Sequence, residues 1–104
     1  MSSPQRGEVW IVDLGPVAKI RPALVLSIPL LDADRALVSI IPHTTSTRST
    51  RFEVQSTARF LQSGAFDCQN PQTIPLAKCT RRLGALSEGE LEAVEKTVCL
   101  WLGL

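Results

Sequence analysis

Short apolar segments separated by turn residues run through most of this chain. They are rich in β-branched and aromatic residues, the composition typical of strands, and Gly, Pro, Asn or Asp lies between them. The segment 21–28 is apolar at nearly every position, which predicts a central strand covered on both faces that Pro29 ends. Pro42 is expected to end the third strand. The predicted strands are 8–14, 21–28, 36–41, 51–55, a short one around 65–68, and an edge strand at 72–75.

Two connecting segments have distinct compositions. Residues 15–20 begin with Gly15-Pro16, a turn pair, and are expected to form a short loop. Residues 43–50 contain six Ser or Thr in eight positions. Hydroxyl side chains compete for backbone hydrogen bonds, so this segment is predicted to be a loop or the edge of a strand.

The C-terminal segment changes to a helical period. Ser87 stands three residues before Glu90, the spacing of a capping box, and Gly103 ends the apolar pattern. A helix over 88–102 is therefore expected to pack on the sheet. Its apolar face is formed by Leu91, Val94, Val98, Trp101 and Leu102. Trp101 is expected in the core, as are Trp10 and Phe52, although exposed aromatic rings on strands could instead stack on bases.

Length and composition limit the possible classes of protein. The chain has 104 residues and is 44% hydrophobic, which predicts a single folded domain over 1–104 that is mainly β with a C-terminal helix. No apolar run approaches the roughly 20 residues of a membrane span. The N-terminus has no apolar signal segment, so the cytoplasm is the expected location.

Cysteine and histidine usage argues against a metal site. Cys68, Cys79 and Cys99 show no C-x-x-C spacing and are expected to be reduced and mostly buried. The chain has one His, and its acids are dispersed. We therefore expect no metal and no other cofactor.

Charge is distributed unevenly along the chain. The net charge is +1, but residues 87–104 carry −3, which leaves residues 1–86 at +4. A basic face toward phosphate is plausible, although scattered basic residues are more often solvated surface. The excess base lies in Arg48, Arg51, Arg59, Lys78, Arg81 and Arg82.

Three motifs in order carry a family resemblance. Residues 6–14, RGEVWIVDL, precede 21–27, RPALVLS; 42–46, PHTTS, follow; and RLG at 82–84 with WLGL at 101–104 closes the chain. This sequence resembles the MazF/PemK toxins over nearly its whole length. The resemblance implies an SH3-like small β-barrel with a C-terminal helix and a homodimer. It also implies metal-independent, sequence-selective cleavage of single-stranded RNA and inhibition by a cognate antitoxin.

The resemblance also implies the site residues. Arg21 matches the family's catalytic arginine, and its guanidinium can hold a phosphate by two hydrogen bonds while offsetting developing charge. The residues alone favour a structural role instead, in which Arg21 starts a strand and pairs with Asp13 or Glu8. Thr44 matches the threonine that accompanies the arginine, with Thr45 and Ser46 as alternatives in a tract whose hydroxyls usually bond to turn backbone.

His43 and two arginines complete the candidate site. His43 is the one side chain that titrates near neutral pH, so a role in proton transfer is conceivable, although a lone His is more often structural. Thr45 and Ser46 are also expected to bind RNA, together with Arg48 and Arg51, whose charges can contact phosphates.

Two departures from the family keep other functions open. The segment Gly15 to Ile20 is shorter than the acid-bearing loop of many members. Gln72 and Pro75 stand where many members have Arg and Asp, so a mechanism based on that pair cannot operate here. A catalytically weakened binding module, or a toxin that binds DNA gyrase on the same fold, remains an alternative.

Overall fold

The computed structural model describes residues 3–104, and among them it forms a mainly antiparallel β structure with a C-terminal helix. In that part of the chain, no helix is both long and apolar enough to cross a membrane. The elements in chain order are β1 (Glu8–Asp13), α1 (Gly15–Ala18), β2 (Ile20–Val25), β3 (Leu37–Thr44), β4 (Glu53–Gln55), β5 (Ala65–Asp67), β6 (Gln72–Pro75), a 3-10 turn (Leu76–Lys78), β7 (Cys79–Ala85) and α2 (Glu88–Leu102).

The strands form one sheet in the order β4-β5-β3-β2-β1-β7, and β6 pairs with β3. One edge of β3 serves two partners, because Leu37–Ile40 pair with β6 and His43–Thr44 pair with β5. Within residues 3–104, β4 and β7 end the order and do not pair with each other, so the sheet is not closed. The predicted fold class, an SH3-like small β fold with a C-terminal helix, is confirmed, but within residues 3–104 the predicted barrel is an open sheet.

Two buried clusters lie on opposite faces of the central strands. Leu24 belongs to the cluster that includes Val94 and Val98 of α2, whereas Ala23 and Val25 belong to the other. Because alternate side chains of a strand point to opposite faces, β2 is buried on both sides. The prediction of a central strand covered on both faces is therefore confirmed.

Helix α2 has the predicted bounds and both predicted ends. The Ser87 hydroxyl oxygen accepts from the Glu90 backbone N–H, and the Glu90 carboxylate accepts from the Ser87 N–H, which completes the capping box. Gly103 ends the helix in the left-handed region, with φ 73°. Arg6 forms an ion pair with Glu95, which ties the N-terminal segment to the helix.

Several predicted strand ends are wrong. Strand β3 continues through Pro42, which lies between the residues that pair with β6 and those that pair with β5, where the ladder changes partner. Strand β2 starts at Ile20 and ends at Val25, before Pro29, because the N–H groups of Leu26 and Ser27 both donate to Ser39 O and break the regular register. Strand β4 begins at Glu53, later than predicted.

Two further elements differ from the prediction. Residues 15–18 form the short helix α1 rather than a loop. Strand β7 was not predicted, because Thr80, Arg81 and Arg82 give it a polar, exposed middle without clear alternation. It pairs with β1 through two register irregularities and lies at the end of the sheet, where exposed polar side chains are tolerated.

The burial of the aromatic residues and cysteines is mixed. Trp10 and Phe52 are in the core, each 8% exposed, as predicted. Trp101 is 43% exposed and the prediction that it is buried is wrong, because the buried residues of α2 are Val94 and Val98 and the residues of the last turn are exposed. Cys68 is buried and Cys79 half-buried, but Cys99 is exposed on α2, against the expectation for that thiol.

Candidate functional site

Arg21 and Thr44 are brought to the same end of the sheet by the register of β2 and β3. Ala23 pairs with Pro42 in this antiparallel pair. Arg21 precedes Ala23 by two residues and Thr44 follows Pro42 by two, so both share the face of that pair. Two residues that are distant in sequence therefore occupy one site.

Two cavities meet at these residues. The first cavity, about 500 Å³, is lined by Ile11, Lys19, Ile20, Arg21, Pro22, His43, Thr44, Thr45, Ser46, Phe60, Leu61, Gln62, Arg81 and Leu83. The second cavity, about 490 Å³, is lined by Arg21, Pro42, Thr44, Ser46, Arg48, Thr50, Glu53, Asp67, Gln69, Asn70 and Trp101. Arg21, Thr44 and Ser46 line both, so they form the boundary between the cavities.

The Thr44 hydroxyl is oriented by the backbone that follows it. Its Oγ1 accepts a hydrogen bond from the Ser46 N–H at 3.0 Å. A hydroxyl has two acceptor positions and one donor, so this bond fixes the oxygen and leaves the O–H proton to donate. The Ser/Thr tract thus satisfies its own backbone, as expected, and still presents a donor beside Arg21.

The loop after Thr44 is held by the carboxylate of Glu53. Both carboxylate oxygens of Glu53 accept from the Arg48 N–H, each at 3.0 Å, and Oε1 also accepts from the Thr50 N–H at 3.4 Å. Ser49 takes a left-handed backbone conformation at φ 55° within this loop. The carboxylate is therefore engaged with the backbone, and the loop presents Arg48 to the second cavity.

His43 is 3% exposed and packs edge-on to Phe66, with 5.3 Å between the ring centroids. Its Nε2 lies 2.8 Å from Ser56 Oγ, which donates its own proton to Gly64 O at 3.2 Å. Ser56 Oγ can therefore only accept from His43, which assigns the proton to Nε2. Burial lowers the pKa of His43, so the imidazole is neutral near pH 7. This environment fits a structural histidine, and a catalytic role stays a prediction.

Positive charge is concentrated in the first cavity. Lys19, Arg21 and Arg81 line it, and no carboxylate is among its lining residues in the described part of the chain. Lys19 has φ 62° and follows α1, so the short connection supplies part of the cavity wall. Lys19 and Arg81 were not predicted as site residues, because only the pairing of β7 with β1 brings Arg81 to the first cavity.

Two other basic residues, Arg82 and Arg51, line neither cavity. The Arg82 guanidinium donates to Glu8 at 2.6 Å, and Trp10 Nε1 donates to the same carboxylate at 3.0 Å. Burial acts to raise the pKa of Glu8, but these hydrogen bonds lower it overall. Arg51 lies over the Phe52 ring at 4.6 Å and lines neither cavity, so the structure does not bring it to the other predicted RNA-binding residues.

Of the two departures noted in the sequence, the short segment 15–20 leads into Arg21 and supplies Lys19 and Ile20 to the first cavity, whereas Gln72 and Pro75 lie outside both cavities. Gln72 and Pro75 are in β6, where they pair with Ile40 and Leu37, and neither is among the lining residues of the two cavities. Among the described residues, no group of three or more His, Cys, Asp and Glu side chains is placed to hold a metal ion.

Comparison with known protein families identifies the family of this chain. The sequence model of the PemK-like, MazF-like toxin of type II toxin-antitoxin systems matches residues 5–102. The chain belongs to this family. The resemblance found in the motifs is thereby confirmed over almost the whole sequence.

Solved structures of MazF proteins share the fold. MazF from Deinococcus radiodurans superposes with a TM-score of 0.88 at 23% identity, over 100% of both chains. An endoribonuclease from a mycobacterial species, solved in complex with its cognate antitoxin, gives a TM-score of 0.85 at 24% identity, over 98% of this chain and 97% of that one. At these identities the likeness establishes the fold.

A third relative is the toxin MazF-mt6 of Mycobacterium tuberculosis. It matches with a TM-score of 0.75 at 25% identity, over 93% of this chain and 97% of that one. These relatives therefore agree on the fold of the chain. Because fold does not determine function, the chemistry of the site depends on the residues of this chain.

Proposed function

We propose that this toxin is a metal-independent endoribonuclease that cleaves single-stranded RNA at selected sequences. The observation that carries the proposal is the placement of Arg21 and Thr44 at the boundary of two cavities, one of them basic. A strand of RNA passing between the cavities would bring a phosphate to this boundary. Support also comes from the mycobacterial relative described as an endoribonuclease.

The chemistry requires few protein groups. The 2′-oxygen of the RNA attacks the adjacent phosphorus, the bond to the 5′-oxygen breaks, and a 2′,3′-cyclic phosphate and a 5′-hydroxyl form. Arg21 offsets the negative charge of the phosphorane through a fixed, planar guanidinium, and Thr44 donates a neutral hydrogen bond to a phosphate oxygen. The neutral imidazole of His43 is the candidate for accepting or returning the proton.

Phosphate contacts outside the cleaved bond are assigned to both cavities. We assign backbone binding to Lys19 and Arg81 in the first cavity and to Arg48 in the second, with Thr45 and Ser46 as hydrogen-bond donors. Arg51 binds RNA only if the strand extends beyond the cavities. These assignments predict a marked decrease in binding as salt concentration rises.

The partners follow from the family. We propose that the toxin acts in the cytoplasm as a homodimer, with strands of the sheet rather than the acidic outer face of α2 at the interface. We also propose that a cognate antitoxin inhibits it, as suggested by the relative solved with its antitoxin. Sedimentation at micromolar concentration should give a dimer, and a monomer alone would contradict this part of the proposal.

The deciding experiment incubates the purified protein with a long single-stranded RNA in EDTA. Fragments that end in a cyclic phosphate or 3′-phosphate are expected, and Arg21→Ala should produce none. Cutting that is lost in EDTA and restored by magnesium would contradict the metal-free mechanism. RNA that stays intact under all conditions would favour a gyrase-binding toxin or a binding module without activity.

A further inference from the structure

The second cavity differs from the first in the chemistry of its walls. The first cavity combines three cations with hydroxyl groups and apolar side chains, including the Phe60 ring, and no carboxylate is among its described lining residues. In the second, Arg21 and Arg48 are balanced by Glu53 and Asp67, and the wall also includes an indole, two amides and several hydroxyl groups. A site without excess positive charge is poorly suited to hold several phosphates, but an aromatic ring with amide groups is suited to a nucleobase.

Trp101 is the aromatic surface of this cavity. Its indole is 43% exposed, yet it is held by an edge contact with the buried Phe52 ring, at 5.2 Å between centroids and 66° between planes. An exposed aromatic ring that is held by contact with a buried ring offers a preorganised face for stacking. Stacking on such a ring is available to every base, because each base has a π-face.

Asn70 and Gln69 lie on a short turn that is also fixed. The Gln69 N–H donates to Asp67 Oδ1 at 3.3 Å, and the Asn70 N–H donates to Asp67 O at 3.2 Å. The Cys68 N–H donates to Phe52 O at 3.0 Å, which connects this turn to the residue that supports Trp101. The backbone that carries these two amide side chains therefore has a defined position relative to the indole.

We propose that the second cavity binds one unstacked nucleobase of the RNA next to the cleaved phosphate. The base stacks on Trp101, and the amide of Asn70 forms hydrogen bonds with its edge, so this cavity contributes to the choice of cleavage site. An amide offers a donor and an acceptor side by side, the arrangement that base edges complement. The inference rests on the proposed nuclease function and adds the substrate contact that selects the sequence.

The first test measures cleavage-site choice and rate separately. A long RNA is cut by the parent, by Trp101→Ala and by Asn70→Ala, and the new ends are sequenced. Trp101→Ala should lower kcat/KM about tenfold or more, mainly through KM, because base stacking on aromatic rings typically contributes that much to binding. Asn70→Ala should broaden the preference at one nucleotide position. Trp101→Phe should restore part of the loss.

Leu100→Ala is the matched control, since Leu100 is exposed on the same helical turn but is not a lining residue of the cavity. It should cut with the parent's rate and site preference. If the parent cuts RNA and both cavity variants cut with the parent's rate and preference, the proposal is overturned while the nuclease function stands. If the parent cuts no RNA, the proposed function itself fails.

The second test observes the base at Trp101 directly. A 2′-O-methyl oligonucleotide with the preferred sequence cannot be cleaved, because it lacks the attacking hydroxyl. It should quench the emission of the parent and of Leu100→Ala, and Trp101→Phe should lose that quenching, since Trp10 is buried. Emission that changes on dilution but not with the oligonucleotide would show Trp101 covered by a second copy of the chain, and would overturn the proposal.

Discussion

Arg21 on β2 and Thr44 on β3 lie at the same end and on the same face of two paired strands, and both line the two cavities. Neither side chain is on a freely moving loop, so the backbone ladder sets the distance between them. A site built on paired strands is preorganised, which matters most for groups that stabilise charge in a transition state.

Arg21→Ala is expected to abolish measurable cleavage, and Thr44→Ala to have a milder effect. Loss of one preorganised donor to the transition-state charge typically lowers the rate by about 10²–10³. A charged donor forms a stronger hydrogen bond than a neutral hydroxyl, so loss of Arg21 should be the more damaging. Arg21→Lys should also be poor, because an ammonium retains the charge but lacks the planar two-point contact. Initial rates on an end-labelled RNA measure all three.

Matched melting temperatures are required for these comparisons, because an unfolded variant gives no information on chemistry. A folded Arg21→Ala that cuts as fast as the parent would show that the site assignment is wrong. His43→Ala is the companion variant. If it is folded and as inactive as Arg21→Ala, histidine takes part in proton transfer; if it is folded and active, His43 is structural.

Gly64→Ala is expected to damage the site through its backbone. A Cβ at Gly64 would overlap the carbonyl oxygen of Thr44 and come within 2.9 Å of His43 Cε1. Overpacking of this kind usually costs about 1–3 kcal/mol, and here the main obstacle is backbone that cannot rotate away. Urea unfolding and RNA cleavage should both show a loss.

Gly89→Ala is the control for this substitution, since no atom lies within 4 Å of a Cβ at Gly89 in α2. An alanine in a helix is favoured over glycine by roughly 0.5–1 kcal/mol, so this variant should be as stable as the parent or more so. Equal stability of Gly64→Ala and the parent would mean that the close approach of Gly64 to Thr44 is not maintained in solution.

The helix and the central strands could be predicted from the sequence because local patterns determine them. The capping box of Ser87 and Glu90 and the left-handed Gly103 gave both ends of α2. The end of β3 was not predictable in this way. Pro42 stays in the strand because two different partners meet beside it, which is a property of the sheet.

The site was only partly predictable for a related reason. Arg21 and Thr44 were identified by motif, and the structure brings them together. Arg81 and Trp101 were not predicted as site residues. Arg81 reaches the first cavity only because β7 pairs with β1, and Trp101 reaches the second because the end of α2 lies beside the turn after β5. Such contacts between distant segments leave no periodic signal in the chain.

The three thiols should differ in reactivity. Burial and the nearby carboxylate of Asp67 raise the pKa of Cys68 to about 12, and burial also raises that of Cys79. Cys99 is exposed on α2. Because the thiolate is the reactive form, iodoacetamide at neutral pH should modify Cys99 first and Cys68 only after unfolding, as read by peptide mass spectrometry. Early modification of Cys68 in the folded protein would contradict its burial.

The stability of the protein should fall as the pH drops below about 6.5, and His43 should account for that loss. Burial lowers the pKa of His43 in the folded state, whereas in the unfolded chain it titrates at about 6.5. Below that value the unfolded state binds the proton and the folded state does not, so the free energy of unfolding decreases until the folded pKa is reached. Above it, both states are neutral and the stability is at its full value.

His43→Gln tests this assignment, because an amide can keep the hydrogen bond to Ser56 without titrating. Urea unfolding between pH 5 and 7.5 should show a decrease in stability for the parent and a nearly flat profile for the variant. Glu8 and Glu90 also have lowered pKa values, but carboxylates lose their contribution only as the pH falls below about 4.3, so they do not affect this window. Parallel profiles for the two proteins would show that His43 is accessible to protons in the folded state, and proton transfer by its imidazole would then gain support.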